Sequence, residues 1–78
     1  MENRSPEGLT DHQLVWQQAD EYVDTAGADT PVLRLGMASA FYARTCAYLL
    51  LDGAGESALH YANLAELADR MALEEREK

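Results

Sequence analysis

The sequence predicts an all-α protein: a bundle of three helices over about residues 10–26, 31–52 and 56–75, which forms a helical homodimer. Three observations favour this fold. Apolar residues recur every three or four positions, helix start and stop signals separate the three stretches, and isoleucine is absent while no strand-like alternation persists. With 78 residues, the chain is predicted to form one domain over residues 9–76, after a disordered tail over residues 1–8.

The first helix has clear signals at both ends. Thr10 is a good N-cap, and Gln13 three residues later completes a capping box, in which the two residues satisfy each other's backbone N–H groups. Leu9 and Leu14 have the spacing of a hydrophobic staple across this start. Gly27 is the predicted stop, because glycine adopts the left-handed conformation at a helix end without steric cost.

The second helix is predicted to start at Thr30 and Pro31 and to end at Asp52 and Gly53. Between residues 32 and 51 it is apolar on every side, and such a helix must be covered on every side. Only two other helices are present, so we expect a second subunit to cover the remaining edge. Helix 3 is predicted to begin near Gly55 or Ser57 and to follow the second helix as an antiparallel hairpin, with helix 1 packed across both.

Five residues are candidate interface residues. Leu35, Tyr42 and Leu49 recur every seven residues and form one edge of the second helix. Trp16 lies at the margin of the apolar stripe of the first helix, and aromatic residues at such margins often anchor interfaces. Arg44 lies among apolar neighbours, where we expect its guanidinium either to extend to solvent at the edge of the helix or to pair with an acid of a neighbouring helix or subunit. Its candidate partners are Asp20, Asp24 and Glu66.

The sequence predicts no catalytic, cofactor-binding or metal-binding residues. His12, His60 and Cys46 lack the spacing of a zinc site, and the Glu-x-x-His motif of di-iron bundles is absent. Cys46 lies among small apolar residues, which favours a packing role over a reactive thiol. We therefore expect the protein not to be an enzyme.

The formal net charge of −8 restricts the classes of partner. A protein that neutralises phosphates needs clustered Lys and Arg, whereas this chain has a single Lys and scattered Arg residues. We therefore expect neither direct nucleic-acid binding nor attraction to an anionic membrane surface. Arg34 and Arg44 within the apolar stretch oppose a transmembrane span. A single cysteine and the lack of a recognisable signal peptide favour the cytoplasm.

These observations favour a small, acidic, non-enzymatic helical protein that acts as a protein–protein interaction or regulatory module. The absence of Ile and the scarcity of Lys are typical of GC-rich coding, which favours an accessory protein of a GC-rich bacterium or its phage. One alternative is an acidic nucleic-acid mimic that inhibits a DNA-binding protein. Another is a DNA-binding transcriptional regulator, which the net charge disfavours.

Overall fold

The computed structural model describes residues 9–78, which form three α-helices: α1 (Asp11–Ala26), α2 (Pro31–Leu51) and α3 (Gly55–Arg76). α2 and α3 pack closely as an antiparallel hairpin, while α1 packs mainly against α2 and more lightly against α3. The predicted all-α three-helix architecture is confirmed. The homodimer stays a prediction, and the predicted tail over residues 1–8 lies outside the described residues.

Capping residues close in sequence fix where α1 and α2 begin. The backbone N–H of Gln13 donates to Oγ1 of Thr10 over 3.2 Å, and the N–H of Thr10 donates to Oε1 of Gln13 over 2.8 Å, which completes the predicted capping box. At α2, Oγ1 of Thr30 accepts from the N–H of Leu33 over 3.2 Å. Gly27 ends α1 with φ of 65°, as predicted.

The connection between α2 and α3 has three residues, 52–54, the same length as the predicted connection over residues 53–55. The N–H of Ala54 donates to the carbonyl of Leu49, and the N–H of Gly53 donates to the carbonyl of Leu50. These two bonds form a Schellman motif around Gly53, whose φ is 79°. The turn leads directly into α3 at Gly55, so α3 starts without a side-chain cap.

The core lies where α1 covers one side of the hairpin. Arg34 fixes the approach of α1 to α2, because its Nε donates to the carbonyl of Ala28 over 2.9 Å. The fully or almost fully buried residues of the core cluster are Val15, Ala19, Leu35, Ala38, Tyr42, Leu64, Ala68 and Met71. Among residues 9–78, none of the three helices is both long enough and apolar enough to span a bilayer.

Candidate interaction surface

The structure places two of the five candidate interface residues inside the chain's own core. Leu35 is 0% exposed and Tyr42 is 5% exposed, so neither side chain lies on a free edge of α2. This corrects the expectation that the edge of Leu35, Tyr42 and Leu49 faces a second subunit. The physical reason is that α1 and α3 both pack against the side of α2 that carries Leu35 and Tyr42.

Tyr42 is held by contacts with both neighbouring helices. Its hydroxyl donates to the carbonyl of Leu14 on α1 over 3.3 Å, and its ring lies 6.1 Å from the ring of Tyr61 on α3, measured between centroids. Burial raises the pKa of Tyr42 to about 12, with smaller contributions from Tyr61, Tyr22 and Glu21. Tyr42 therefore joins the three helices as a neutral phenol.

A second polar contact joins α2 directly to α3. The hydroxyl of Ser39 lies 2.6 Å from Oδ1 of Asp69 and 3.2 Å from the carbonyl oxygen of Ala65. Since a hydroxyl has one proton, Ser39 donates to the nearer carboxylate, and such a charge-assisted bond is stronger than a neutral one. This contact fixes the register of α2 against α3.

The outer side of α2 remains largely exposed although it is apolar. Its centre consists of small residues, and its two ends carry large ones. We call these eight residues the α2 stripe: the small, exposed Gly36, Ala40, Ala43 and Ala47, and the large Val32, Leu33, Leu50 and Leu51, of which only Val32 is half-buried. Leu33, Leu50 and Leu51 are 49%, 60% and 82% exposed.

α3 extends this apolar surface at both ends. Leu59 and Leu73, which are 64% and 49% exposed, lie fourteen residues apart on the edge of α3 that adjoins α2. Two open hollows mark the junctions. One of about 370 Å³ is lined by residues including Cys46, Leu50 and Leu59, and one of about 330 Å³ is lined by residues including Val32 and Leu73. We call the α2 stripe together with Leu59 and Leu73 the open face.

Apart from Ala40, which lines a hollow with Tyr22 of α1, the open face lies away from α1. Leu14 and Gln18 of α1 line a hollow with Tyr42 of α2 and Tyr61 of α3, which are on the inner sides of their helices. At 100° per residue, the α2 stripe is centred on a different side of α2 from Tyr42. The open face is therefore the side of the hairpin that has no third helix within residues 9–78.

The remaining three candidate residues lie at or near the margins. Trp16 is half-buried and packs against the core, and Leu49 is also half-buried. Arg44 is exposed and lines a hollow of about 240 Å³ with residues that include Tyr22 and Phe41. Within residues 9–78, the guanidinium of Arg44 pairs with none of the predicted acids. Glu66 instead lies 3.9 Å from Arg70.

The groups that could carry chemistry are scattered. His12 and His60 are exposed on different helices, and Cys46 is half-buried in the hollow beside Leu50. No group of three or more potential metal ligands occurs within the described part of the chain. His60 lines the hollow of about 290 Å³ between α1 and the hairpin, where the other lining residues are Leu14, Gln18, Phe41, Tyr42, Tyr61 and Leu64. This set contains no carboxylate, thiol or aliphatic hydroxyl.

Sequence reasoning missed Ser39 and Arg34, whose partners determine their roles. Ser39 bonds to Asp69 thirty residues away, and no local pattern predicts such a pair. Arg34 folds back onto the loop before its own helix. The fixed φ of the Thr30-Pro31 start gave a weak signal that this loop is tight. The sequence shows that α2 is apolar on every side, but it does not show which side stays exposed.

Comparison with known proteins adds no relative. No family model matches the chain, and no curated protein and no solved structure matches it.

Proposed function

We propose that this protein is a non-enzymatic protein–protein interaction or regulatory module that binds through the open face. The observation that carries the proposal is the continuous exposed apolar surface along the whole length of α2. Large exposed apolar patches on small proteins mark interaction sites, because the hydrophobic effect favours their removal from water. The proposal includes a cytoplasmic location, which the single cysteine supports.

The chemistry of the surface supports contact with protein rather than with charged ligands. The open face consists of aliphatic side chains and small residues, and such surfaces pack against other helices. One hollow beside it is lined by apolar and small residues, and the other is lined by Asp69 and Arg76 as well as by apolar residues. Both hollows are open to solvent, whereas small-molecule sites enclose most of their ligand.

Affinity capture from the native host, followed by mass spectrometry, tests this function. The bait is the tagged full chain, with Ala43→Glu in the α2 stripe as the test variant and Gln17→Glu on the exposed side of α1 as the matched control. We expect a captured protein that is lost with Ala43→Glu and kept with Gln17→Glu. Equal capture by both variants would show that binding does not use the open face.

A second candidate function is acidic mimicry of nucleic acid. Asp20, Glu21 and Asp24 are all exposed on α1, and the chain carries a net charge of −8. A mimic binds basic proteins by charge, so its capture falls steeply with salt. Capture through the apolar open face persists at high salt, so running the assay at two salt concentrations separates the two functions.

A further inference from the structure

We infer that the partner of the open face is a second copy of this chain, bound antiparallel about a two-fold axis. This inference rests on the proposed function and names the protein that the open face binds. Its basis is that the open face is complementary to itself. An interface between two identical copies requires that property, because each residue that contacts another must be contacted by it in return.

The α2 stripe has the same pattern in both directions along the chain. The residues Leu33, Gly36, Ala40, Ala43, Ala47 and Leu50 follow at intervals of three, four, three, four and three, with large residues at both ends and small ones between. Reversal of the helix therefore places large residues against large and small against small. A sequence that served an unrelated partner would not need this symmetry.

A two-fold axis between Phe41 and Tyr42 produces this match. It places Gly36 opposite Ala47 of the second copy and Ala40 opposite Ala43 of the second copy. An alanine-sized side chain at Gly36 would meet no atom within 4 Å, so the centre of the stripe is open in one copy. Small side chains there allow the two helix axes to approach to about 8 Å.

The same axis accounts for every exposed leucine within residues 9–78. At each end of the seam, Leu33 meets Leu50 and Leu51 of the second copy. The axis keeps the α3 side of one copy next to the α3 side of the other, so Leu73 comes close to Leu59 of the second copy. All five exposed leucines then lie in two apolar clusters related by symmetry, one at each end.

The size of the open face fits a modest dimer. It is about 30 Å long, since twenty residues rise 1.5 Å each, and two helices at 8–10 Å separation make it about 20 Å wide. A footprint of about 600 Å² per copy reaches the lower limit of specific interfaces, which bury about 1,200 Å² in total. We therefore expect reversible, micromolar association.

One charged side chain opposes the pairing and makes it testable. Glu66 lies midway between Leu59 and Leu73 on α3, so the axis places it near Glu66 of the second copy. Each Glu66 carboxylate lies 3.9 Å from the guanidinium of Arg70 in its own chain, which offsets part of the repulsion between the two carboxylates, but each copy also carries a net charge of −8. Association between two copies is therefore strengthened by salt, whereas binding of a basic partner is weakened.

Sedimentation equilibrium of the full chain over about 1–500 μM tests the dimer. We expect the mass to rise from 8.6 kDa toward twice that value, and the midpoint to shift to lower protein concentration as salt is added. Glu66→Gln strengthens association more than Asp24→Asn, which removes the same charge on α1, away from the interface. Ala43→Glu weakens association more than about tenfold, and Gln17→Glu leaves it unchanged.

Disulfide trapping tests the direction of the helices in a Cys46→Ala background. We expect Leu33→Cys mixed with Leu51→Cys to cross-link readily, and Leu33→Cys alone to cross-link poorly. Efficient trapping of Leu33→Cys with itself would overturn the antiparallel arrangement. A mass of one chain at every concentration would overturn the dimer, while capture of another protein that Ala43→Glu abolishes would leave the proposed function intact.

Discussion

The inner and outer sides of α2 are both apolar, yet only the inner side is covered within the chain. Leu35 on the inner side is 0% exposed, while Leu51 on the outer side is 82% exposed. The inner side also has polar anchors, because Tyr42 bonds to α1 and, beside it, Ser39 bonds to α3. The centre of the outer side instead carries small residues without polar side chains. The comparison indicates that the inner side stabilises the fold, whereas the outer side is exposed and available for the association that we propose.

The largest expected effect on the free energy of unfolding comes from replacing a leucine on each side of α2 with alanine. Leu35→Ala leaves a cavity in the core, and we expect it to lower the free energy of unfolding by about 3 kcal/mol. Leu51→Ala, the matched change on the outer side, alters the unfolding of the monomer by less than about 0.5 kcal/mol. Urea denaturation at low micromolar protein concentration measures both. Similar losses for the two variants would contradict the assignment of the two sides.

The next largest effect concerns the contact of Ser39 with Asp69. Ser39→Ala removes a hydrogen bond to a charged group, and we expect a loss of about 1.5 kcal/mol in the free energy of unfolding. Ser57→Ala, at an exposed position of α3, is the control for helix propensity. If both serine variants unfold at the same urea concentration, the contact with Asp69 does not stabilise the hairpin.

A smaller effect is expected at the hydroxyl of Tyr42. Tyr42→Phe removes its bond to the carbonyl of Leu14 and costs about 1 kcal/mol. Because folding raises the pKa of Tyr42 from 10.0 to about 12, its neutral form adds stability that is complete below pH 10 and is lost as the pH rises from 10.0 to about 12. Unfolding measured across this range should fall more steeply for the wild type than for Tyr42→Phe. Parallel pH profiles would argue against this role.

The smallest expected effect is a gain in stability. Gly36 is exposed in mid-helix, and a Cβ there meets nothing within 4 Å, so Gly36→Ala should stabilise the monomer by about 0.8 kcal/mol through helix propensity. Gly53→Ala provides the contrast, because φ of 79° strains any other residue and the variant is destabilised. Thermal unfolding should show a higher melting temperature for Gly36→Ala and a lower one for Gly53→Ala. A lower melting temperature for Gly36→Ala would show that the outer side has a structural role in the monomer.

The sequence predicted the local features of this fold better than its packing. The caps at Thr10 and Thr30 and the stop at Gly27 depend on residues within a few positions of one another, so the sequence alone specifies them. The inward side of α2 was not predictable in the same way. Every side of this helix is apolar, so its periodicity does not distinguish the edge of Leu35 and Tyr42 from the α2 stripe. Only the positions of α1 and α3 decide between them.

The sequence predicted that an apolar surface of α2 would be exposed, but it did not predict which residues form that surface. A surplus of apolar residues between 32 and 51 indicated that one copy leaves part of α2 uncovered. Leu33, Leu50 and Leu51 of α2 are indeed exposed. The residues assigned to that surface were partly incorrect, because a seven-residue repeat marks a helix-packing seam without saying which chain supplies the other half. Here α1 and α3 of the same chain cover Leu35 and Tyr42.

The three-residue turn at Gly53 has a consequence for the order of folding. A short connection makes closure of the α2–α3 hairpin inexpensive in chain entropy, and most interhelical contacts of the fold are made within this hairpin. Such local contacts form early, so we expect the hairpin to assemble first and α1 to dock onto it last. Amide hydrogens of α1 should then exchange with solvent at a lower opening free energy than those of α2 and α3. Transient dissociation of α1 would expose a second hydrophobic surface on the hairpin. Partly folded chains at high concentration could then aggregate through either surface.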